Sequence, residues 1–223
     1  PYDEAVSLIW YLENVFYHSV SKIYNYIQNN IYDGNPMDNE IIDLGFWPGG
    51  DRDGNPFVTT KITLDVAERL RQSILRNYYR DVRRLKRRFT FDGVQEILSK
   101  IEKRLYKHVV RSYGKVNFSQ DIFLEELAKA RKIIAEKHQS LFIEELDDFI
   151  NKVRSFGFHF ATLDIRQDSR VHHEAFTQIV KDLQHTGDTT FPKNYAVLPE
   201  EEQIEILAVV KGSIDPKMLT DDT

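Results

Sequence analysis

The chain contains no cysteine. Disulfide staples, thiolate nucleophiles and thiolate-bound zinc are therefore all excluded, and the absence is compatible with a reducing compartment. Long apolar runs are missing too: no stretch approaches the roughly 18–20 residues of a membrane-spanning helix, and no basic-then-apolar leader opens the sequence. A soluble, cytoplasmic protein is the expectation. Net charge is scarce, at −5 over 223 residues, too little to make a polyanion the partner of the whole molecule. Apolar and aromatic residues are not scarce: 14 Phe, 11 Tyr and 2 Trp, with 41% hydrophobic residues overall, suffice for a substantial core and argue against disorder. The sequence opens at Pro1 with no initiator Met, which reads as a processed chain or a piece of a longer one.

Helical periodicity dominates. Ala5, Ile9, Leu12, Phe16, Val20, Ile23 and Ile27 step by four and three, predicting a helix over 3–29. The cluster Asn29, Asn30, Asp33, Gly34, Asn35 and Pro36 ends it. Thr59 or Thr60 is placed to cap a helix reaching Arg88, of about eight turns, with Val66, Leu70, Ile74, Tyr78, Val82 and Leu85 on one face and Phe89 just beyond. Further helices are expected over 92–112, 119–138 (opening at Ser119, stripe Ile122/Leu127/Ile134) and 140–155 (opening at Ser140, stripe Phe142/Leu146/Phe149/Val153). Gly157 closes the last of these as a left-handed cap. Asp168 caps a helix over 169–184, and Pro199 stands first in a helix that stops at Gly212, leaving a loose tail over 213–223. Two short apolar runs, 41–46 and 158–166, read as strands, each running into a polar segment. The fold class is mainly α-helical with those two strands, in a single section spanning 1–223.

Strand ends that run into loops are where α/β proteins concentrate chemistry. The first is Gly49-Gly50-Asp51-Arg52-Asp53-Gly54-Asn55-Pro56. Its glycines allow close backbone approach, and its guanidinium can grip a phosphate or carboxylate with two parallel hydrogen bonds. A calcium loop fails on Pro56 where glycine is needed and Ile62 where a bidentate glutamate is needed. A Walker phosphate loop fails for want of Gly-Lys-Ser/Thr. The competing reading is a tight surface turn in which Asp51 and Asp53 cap amides and Arg52 pairs with one of them. Trp47 and Pro48 point to a fixed, partly buried loop.

The second unit is Leu163-Asp164-Ile165-Arg166-Gln167-Asp168-Ser169. The two-residue period of a strand turns Leu163 and Ile165 to one side and Asp164 and Arg166 to the other. Either the two charges form a structural ion network or they face a ligand. The seven histidines show no metal-ligand spacing, and His159 reads as a core residue. Residues 61–88 carry 10 basic and 3 acidic side chains, a surplus of +7 against −12 elsewhere. Such a run is usually a solvated face paired with acidic neighbours, so nucleic-acid binding is not expected from it.

Taken in order, Gly49–Thr59, Phe156-Gly157 and Leu163–Ser169 resemble phosphoenolpyruvate carboxylase, as does the opening Pro1-x-x-Glu4-Ala5. The resemblance covers essentially the whole chain and implies an internal section of an α/β-barrel enzyme, ahead of its metal site. It implies that bicarbonate attacks the phosphorus of phosphoenolpyruvate, giving carboxyphosphate and an enolate, which then yield oxaloacetate and phosphate. Mg²⁺ or Mn²⁺ would hold the enolate in the full-length homo-oligomer. The catalytic histidine, catalytic lysine and metal ligands of the family match no residue here, so no metal is expected on this section and none of its residues is a metal ligand. Arg166 matches the arginine near the substrate phosphate and is the expected catalytic, substrate-binding group; Arg52 with Asp51, Asp53 and Asn55 matches the loop at the barrel mouth. Asp168 departs from the family's usual glutamate. The alternative is a helical interaction domain whose basic helix, 61–88, binds an acidic partner or nucleic acid.

Overall fold

A helix returns to one face every 3.6 residues, and the strongest stripe in this sequence is buried along its whole length. Helix α3, Thr60–Arg88, turns Val66, Leu70, Ile74, Tyr78, Val82 and Leu85 into the core, each at most 1% exposed. The Thr59 hydroxyl caps it by accepting from the Ile62 amide. Its last turn carries Lys86, Arg87 and Arg88, the sign that suits a helix C-terminus. The computed structural model describes residues 1–34, 41–53, 55–110, 119–211, 213–215 and 219.

The first helix is longer and less regular than its periodicity predicts. Helix α1, Tyr2–Tyr11, passes through a π-turn, Leu12–Phe16, into α2, Tyr17–Ile31. The wider turn accommodates a five-residue step in the buried series, from Leu12 to Tyr17, after which Val20 and Tyr24 come next. Phe16 and Ile23, expected inside, are consequently 43% and 46% exposed. Of the expected turn cluster, residues 35–36 lie outside the described residues, as does Gly54.

Helices α4 (Val94–Val110), α5 (Gln120–Lys137) and α6 (Ile143–Phe156) complete the first of two compact units, Pro1–Ile165. Residues 111–112 of the expected 92–112 helix lie outside the described residues. Ser119 caps α5 as expected, its hydroxyl accepting from the Ile122 amide. Leu127 and Ile134 are buried as expected, but Phe123 rather than Ile122 joins them in the core. Ser140 does not cap α6. Gln139, Ser140 and Phe142 all have positive φ, and α6 begins one turn later at Ile143. Phe142 is thereby carried outward, where the Arg88 guanidinium lies 4.3 Å from its ring centroid. Helix α3 packs against α1, α4 and α6, with α5 against α4 and α6 and α2 against α6.

Both strands are shorter than predicted. Strand β1 is Gly45–Phe46 and β2 is Thr162–Leu163, paired in parallel with Gly45 opposite Thr162 and Phe46 opposite Leu163. Residues 41–44 and 164–166 lie outside the two-residue strands, and 157–161 forms a turn. Gly157 caps α6 at φ 51° but ψ −140°, not the ordinary left-handed helical value, and Phe160 has φ 73°. These angles send both Phe158 and Phe160 into the core, in a turn where the sequence pattern predicts a strand. The section is mainly helical with two short parallel strands.

The second unit, Arg166–Thr223, has its own small core of Val180, Leu183, Phe191 and Tyr195. Helix α7, Ser169–His185, is capped by Asp168 as expected. A 3-10 turn, Tyr195–Val197, precedes α8, Glu200–Val209. Pro199 is the cap of α8, not its first residue. Gly212 lies outside the described residues, as does most of the 213–223 tail.

Candidate active site

Parallel strands point their C-termini the same way, so the segments beyond β1 and β2 emerge at one end of the ladder. The Thr162 amide donates to the Leu44 carbonyl and the Asp164 amide to the Phe46 carbonyl, both at 2.8 Å. Beyond the ladder, β1 runs into Pro48-Gly49-Gly50 and β2 into Asp164. The two meet backbone to backbone: a Cβ on Gly50 would lie 2.0 Å from the Asp164 carbonyl oxygen. Gly49 is required for a second reason, because φ is +84° and a Cβ there would lie 2.6 Å from Val66 Cγ2.

The loop is held from within. The Gly50 and Asp51 amides both donate to the Trp47 carbonyl, at 2.9 and 3.1 Å. Pro48, Gly49 and Gly50 are buried while Trp47 is half exposed, so the fixed, partly buried loop expected from the sequence is observed, with the indole outside. Arg52 is half-buried; its Nη2 donates to Thr63 Oγ1 at 3.1 Å, and the Thr63 hydroxyl donates on to the Gly49 carbonyl at 2.7 Å. Its Nε, like Asp51 Oδ1, is buried without a hydrogen-bond partner. Each orphan costs about 1–3 kcal/mol relative to a satisfied group, so each gains from any ligand that completes it. Asp53 is exposed. Asn55 accepts from the Phe57 amide at 3.1 Å through its side chain, the turn-forming role that the competing reading gave to the aspartates.

The second motif departs from its predicted alternation. Leu163 is half-buried, but Ile165 is 60% exposed, and Asp164 and Arg166 are exposed as well. The ladder ends at Leu163, so the alternation of a strand stops there. Asp168 is occupied locally: Oδ1 accepts from the Arg170 amide at 2.8 Å, and the Arg170 guanidinium adds two hydrogen bonds at 3.1 and 2.9 Å. The Arg170 side chain and then its amide hold the Asp168 carboxyl below the usual aspartate range.

The basic run on α3 spends its charge inside the molecule. Arg83 and Lys86 both pair with Glu102, Arg84 with Asp81 and Arg88 with Glu145. Arg80 donates to Asn77 Oδ1 and Arg87 to the Arg83 carbonyl. Exposed pairs of this kind contribute little stability each, but they match the solvated face expected from composition. His159 is a correction: it is exposed, not a core residue, and lines a groove of about 450 Å³ with Asp43, Arg154 and Thr162. Among the described residues no cluster of three or more His, Asp or Glu side chains could hold a metal ion.

Sequence reasoning missed a buried polar cluster in the first unit. Lys152, 3% exposed, pairs with Asp148 at 2.9 Å and with Asp81 at 3.3 Å, and the Tyr17 hydroxyl donates to Asp81 at 2.9 Å. Burial first, then Asp81, pushes the Tyr17 and Tyr78 hydroxyls well above the ordinary tyrosine range. A signal was present: Asp81 lies three residues after Tyr78 and four before Leu85, and Lys152 three after Phe149, so each charge interrupts an apolar stripe. Thr63, which anchors Arg52, carries no such mark.

The family model described as phosphoenolpyruvate carboxylase matches residues 1–117 and 99–213. A phosphoenolpyruvate carboxylase of Thermosynechococcus vestitus is 26% identical over 256 aligned residues, covering 90% of this chain and 25% of its own length. That of Aeromonas salmonicida is 28% identical, with 83% of this chain and 23% of its own length covered. That of Rhodothermus marinus is 25% identical, covering 92% and 26% respectively. The chain thus spans about a quarter of the length of the curated relatives it matches.

Proposed function

The chain belongs to the phosphoenolpyruvate carboxylase family, and we propose that it is a substrate-facing section of such an enzyme, which makes oxaloacetate and phosphate from phosphoenolpyruvate and bicarbonate. The observation that carries this reading is the nesting of Gly50 on Asp164, which joins two motifs 114 positions apart at one end of a parallel ladder. A bicarbonate oxygen forms a bond to phosphorus as the bond from phosphorus to the enol oxygen breaks, leaving carboxyphosphate and an enolate. The enolate carbon then takes the carboxyl group, and phosphate departs.

Arg166 is the residue assigned to the phosphoryl group. A guanidinium stays protonated throughout and so neutralises developing phosphoryl charge without giving up a proton. Arg52 is assigned an orienting role at the mouth of the site: one arm is held by Thr63, and its buried Nε has no hydrogen-bond partner among the described residues. Asp51, with its unpartnered Oδ1, and Asp53 belong to the same rim, while Asn55 shapes it. The described residues do not fit the family's Mg²⁺ or Mn²⁺, so no step here is routed through a metal. The barrel, the oligomer and the cytoplasmic setting belong to the same proposal.

In the full-length enzyme, Arg166→Ala is expected to cost at least about tenfold in kcat/KM, because a charge-assisted hydrogen bond contributes about 1.5–3 kcal/mol. Steady-state kinetics with phosphoenolpyruvate varied would show it, and unchanged kinetics would remove Arg166 from the site. The 223-residue chain alone is expected to make no oxaloacetate, and turnover above background would overturn the assignment of the missing groups to other segments.

A further inference from the structure

Tyr78 lies midway along α3, fully buried, with its ring edge-on to Phe149 and Phe123 at centroid distances of 5.7 and 5.9 Å. Its hydroxyl donates to the Gly157 carbonyl at 2.7 Å and lies 3.3 Å from the Lys152 carbonyl, at the C-terminal end of α6. Carbonyls there run out of intrahelical partners, so a buried donor aimed at them fixes where the helix stops. Because burial keeps the phenol protonated, that donor is present at every ordinary pH.

The chain beyond Gly157 has little slack. Gly157 and Phe160 both hold positive φ, an arrangement that for a phenylalanine persists only where its surroundings over-determine it. Phe160 is 1% exposed, and its amide donates to the Phe156 carbonyl at 3.0 Å. Two residues later Thr162 enters the ladder, and Asp164 meets Gly50 two residues after that. Only six residues lie between Gly157, whose carbonyl Tyr78 holds, and Asp164, whose carbonyl Gly50 abuts.

We infer that Tyr78 is a positioning residue: by holding Gly157 it sets the register of β2 on β1, and with it the place of Leu163 and Asp164, where the motif leaves the ladder, without touching substrate. The register half stands on this chain alone; the half that concerns substrate rests on the reading proposed above.

Tyr78→Phe removes one oxygen and keeps the ring packing. Hydrogen exchange of the chain is expected to run about fivefold faster at the Thr162 and Asp164 amides, the loss of one net hydrogen bond, with α4 amides serving as the reference for global stability. Tyr17→Phe removes the neighbouring buried hydroxyl but leaves Gly157 held, and is expected to leave those two amides at the parental ratio to α4. Equal acceleration in both variants, or none in Tyr78→Phe, overturns the inference. In the full-length enzyme Tyr78→Phe is expected to raise KM for phosphoenolpyruvate about fivefold with kcat within about twofold. If Arg166→Ala raises KM and Tyr78→Phe does not, the positioning role fails alone. If Arg166→Ala changes nothing, the substrate reading fails, and the register role is decided by the exchange rates.

Discussion

Gly50 and Asp164 approach so closely that the carbonyl oxygen of one occupies the space of a side chain on the other, 2.0 Å from where a Cβ would stand. Backbone cannot rotate away as a flexible side chain would. Gly50→Ala is therefore expected to destabilise the chain by about 1–3 kcal/mol. Gly45→Ala, in the same ladder but with nothing within 4 Å of its Cβ, is expected to stay within about 0.5 kcal/mol. Urea unfolding of the two variants makes the comparison, and equal midpoints would refute the close approach.

Lys152 is the buried cation between Asp81 and Asp148. Lys152→Met preserves much of the volume and leaves buried Asp81 with only the Tyr17 hydroxyl and the half-exposed Arg84 guanidinium as near partners. Breaking a buried pair from one side costs about 3–5 kcal/mol, so a large fall in unfolding free energy is expected. Lys152→Met combined with Asp81→Asn should recover part of the loss, because the stranded charge is then gone. A double variant no more stable than Lys152→Met would mean that Asp81 is not the group left uncompensated.

Asp168 carries the pH dependence of the α7 cap. Its carboxyl is held below its unfolded value by Arg170, so over the interval between the two values the folded chain binds fewer protons than the unfolded one. Its contribution is thus complete above the unfolded pKa, near pH ~4, and is lost as pH falls through the lower folded value. An NMR titration should place the Asp168 midpoint below that of an unstructured aspartate, with Arg170 amide exchange rising as the carboxylate protonates. Asp168→Asn should remove the pH dependence while keeping a capping oxygen.

The basic helix supplies a test of the alternative function. Lys86 and Arg83 share Glu102, and Arg88 has Glu145. The parental chain is expected to show no salt-dependent affinity for duplex DNA at about 150 mM salt. Glu102→Gln, which releases two cations, should create weak binding that vanishes as salt rises. Strong, salt-sensitive binding by the parental chain would favour an interaction domain over the carboxylase reading.

Much of the helical framework was legible because its signals are local. The α3 stripe and the Thr59, Ser119 and Asp168 caps each depend on residues within a turn or two of one another. The failures have equally specific reasons. A five-residue step hidden between Leu12 and Tyr17 moved Phe16 and Ile23 outward through a π-turn. Ser140 has the chemistry of a cap, but positive φ at Gln139, Ser140 and Phe142 delays α6 to Ile143. The strand over 158–166 was over-read because Phe158 and Phe160 alternate and turn inward together as in a strand, while positive φ at Gly157 and Phe160 makes 157–161 a turn. At the candidate site the residue types were legible. The anchor on Arg52 was not, because Thr63 looks like any threonine in the first turn of a helix.

From the sequence alone come most of the helices, the Thr59, Ser119 and Asp168 caps, the acidic balance of the basic helix and, through two motif phrases, the family. Hydrogen bonds and apolar periods that span a few residues carry the first three, and side-chain identity at fixed spacing carries the last. Only the tertiary structure decided that Gly50 meets Asp164, that Tyr78 holds Gly157, and that Asp81 and Lys152 neutralise each other across 71 positions. Those pairings form where the packing of α3 against α6 and of β1 against β2 brings distant chain segments together, and no local period records which segments will meet.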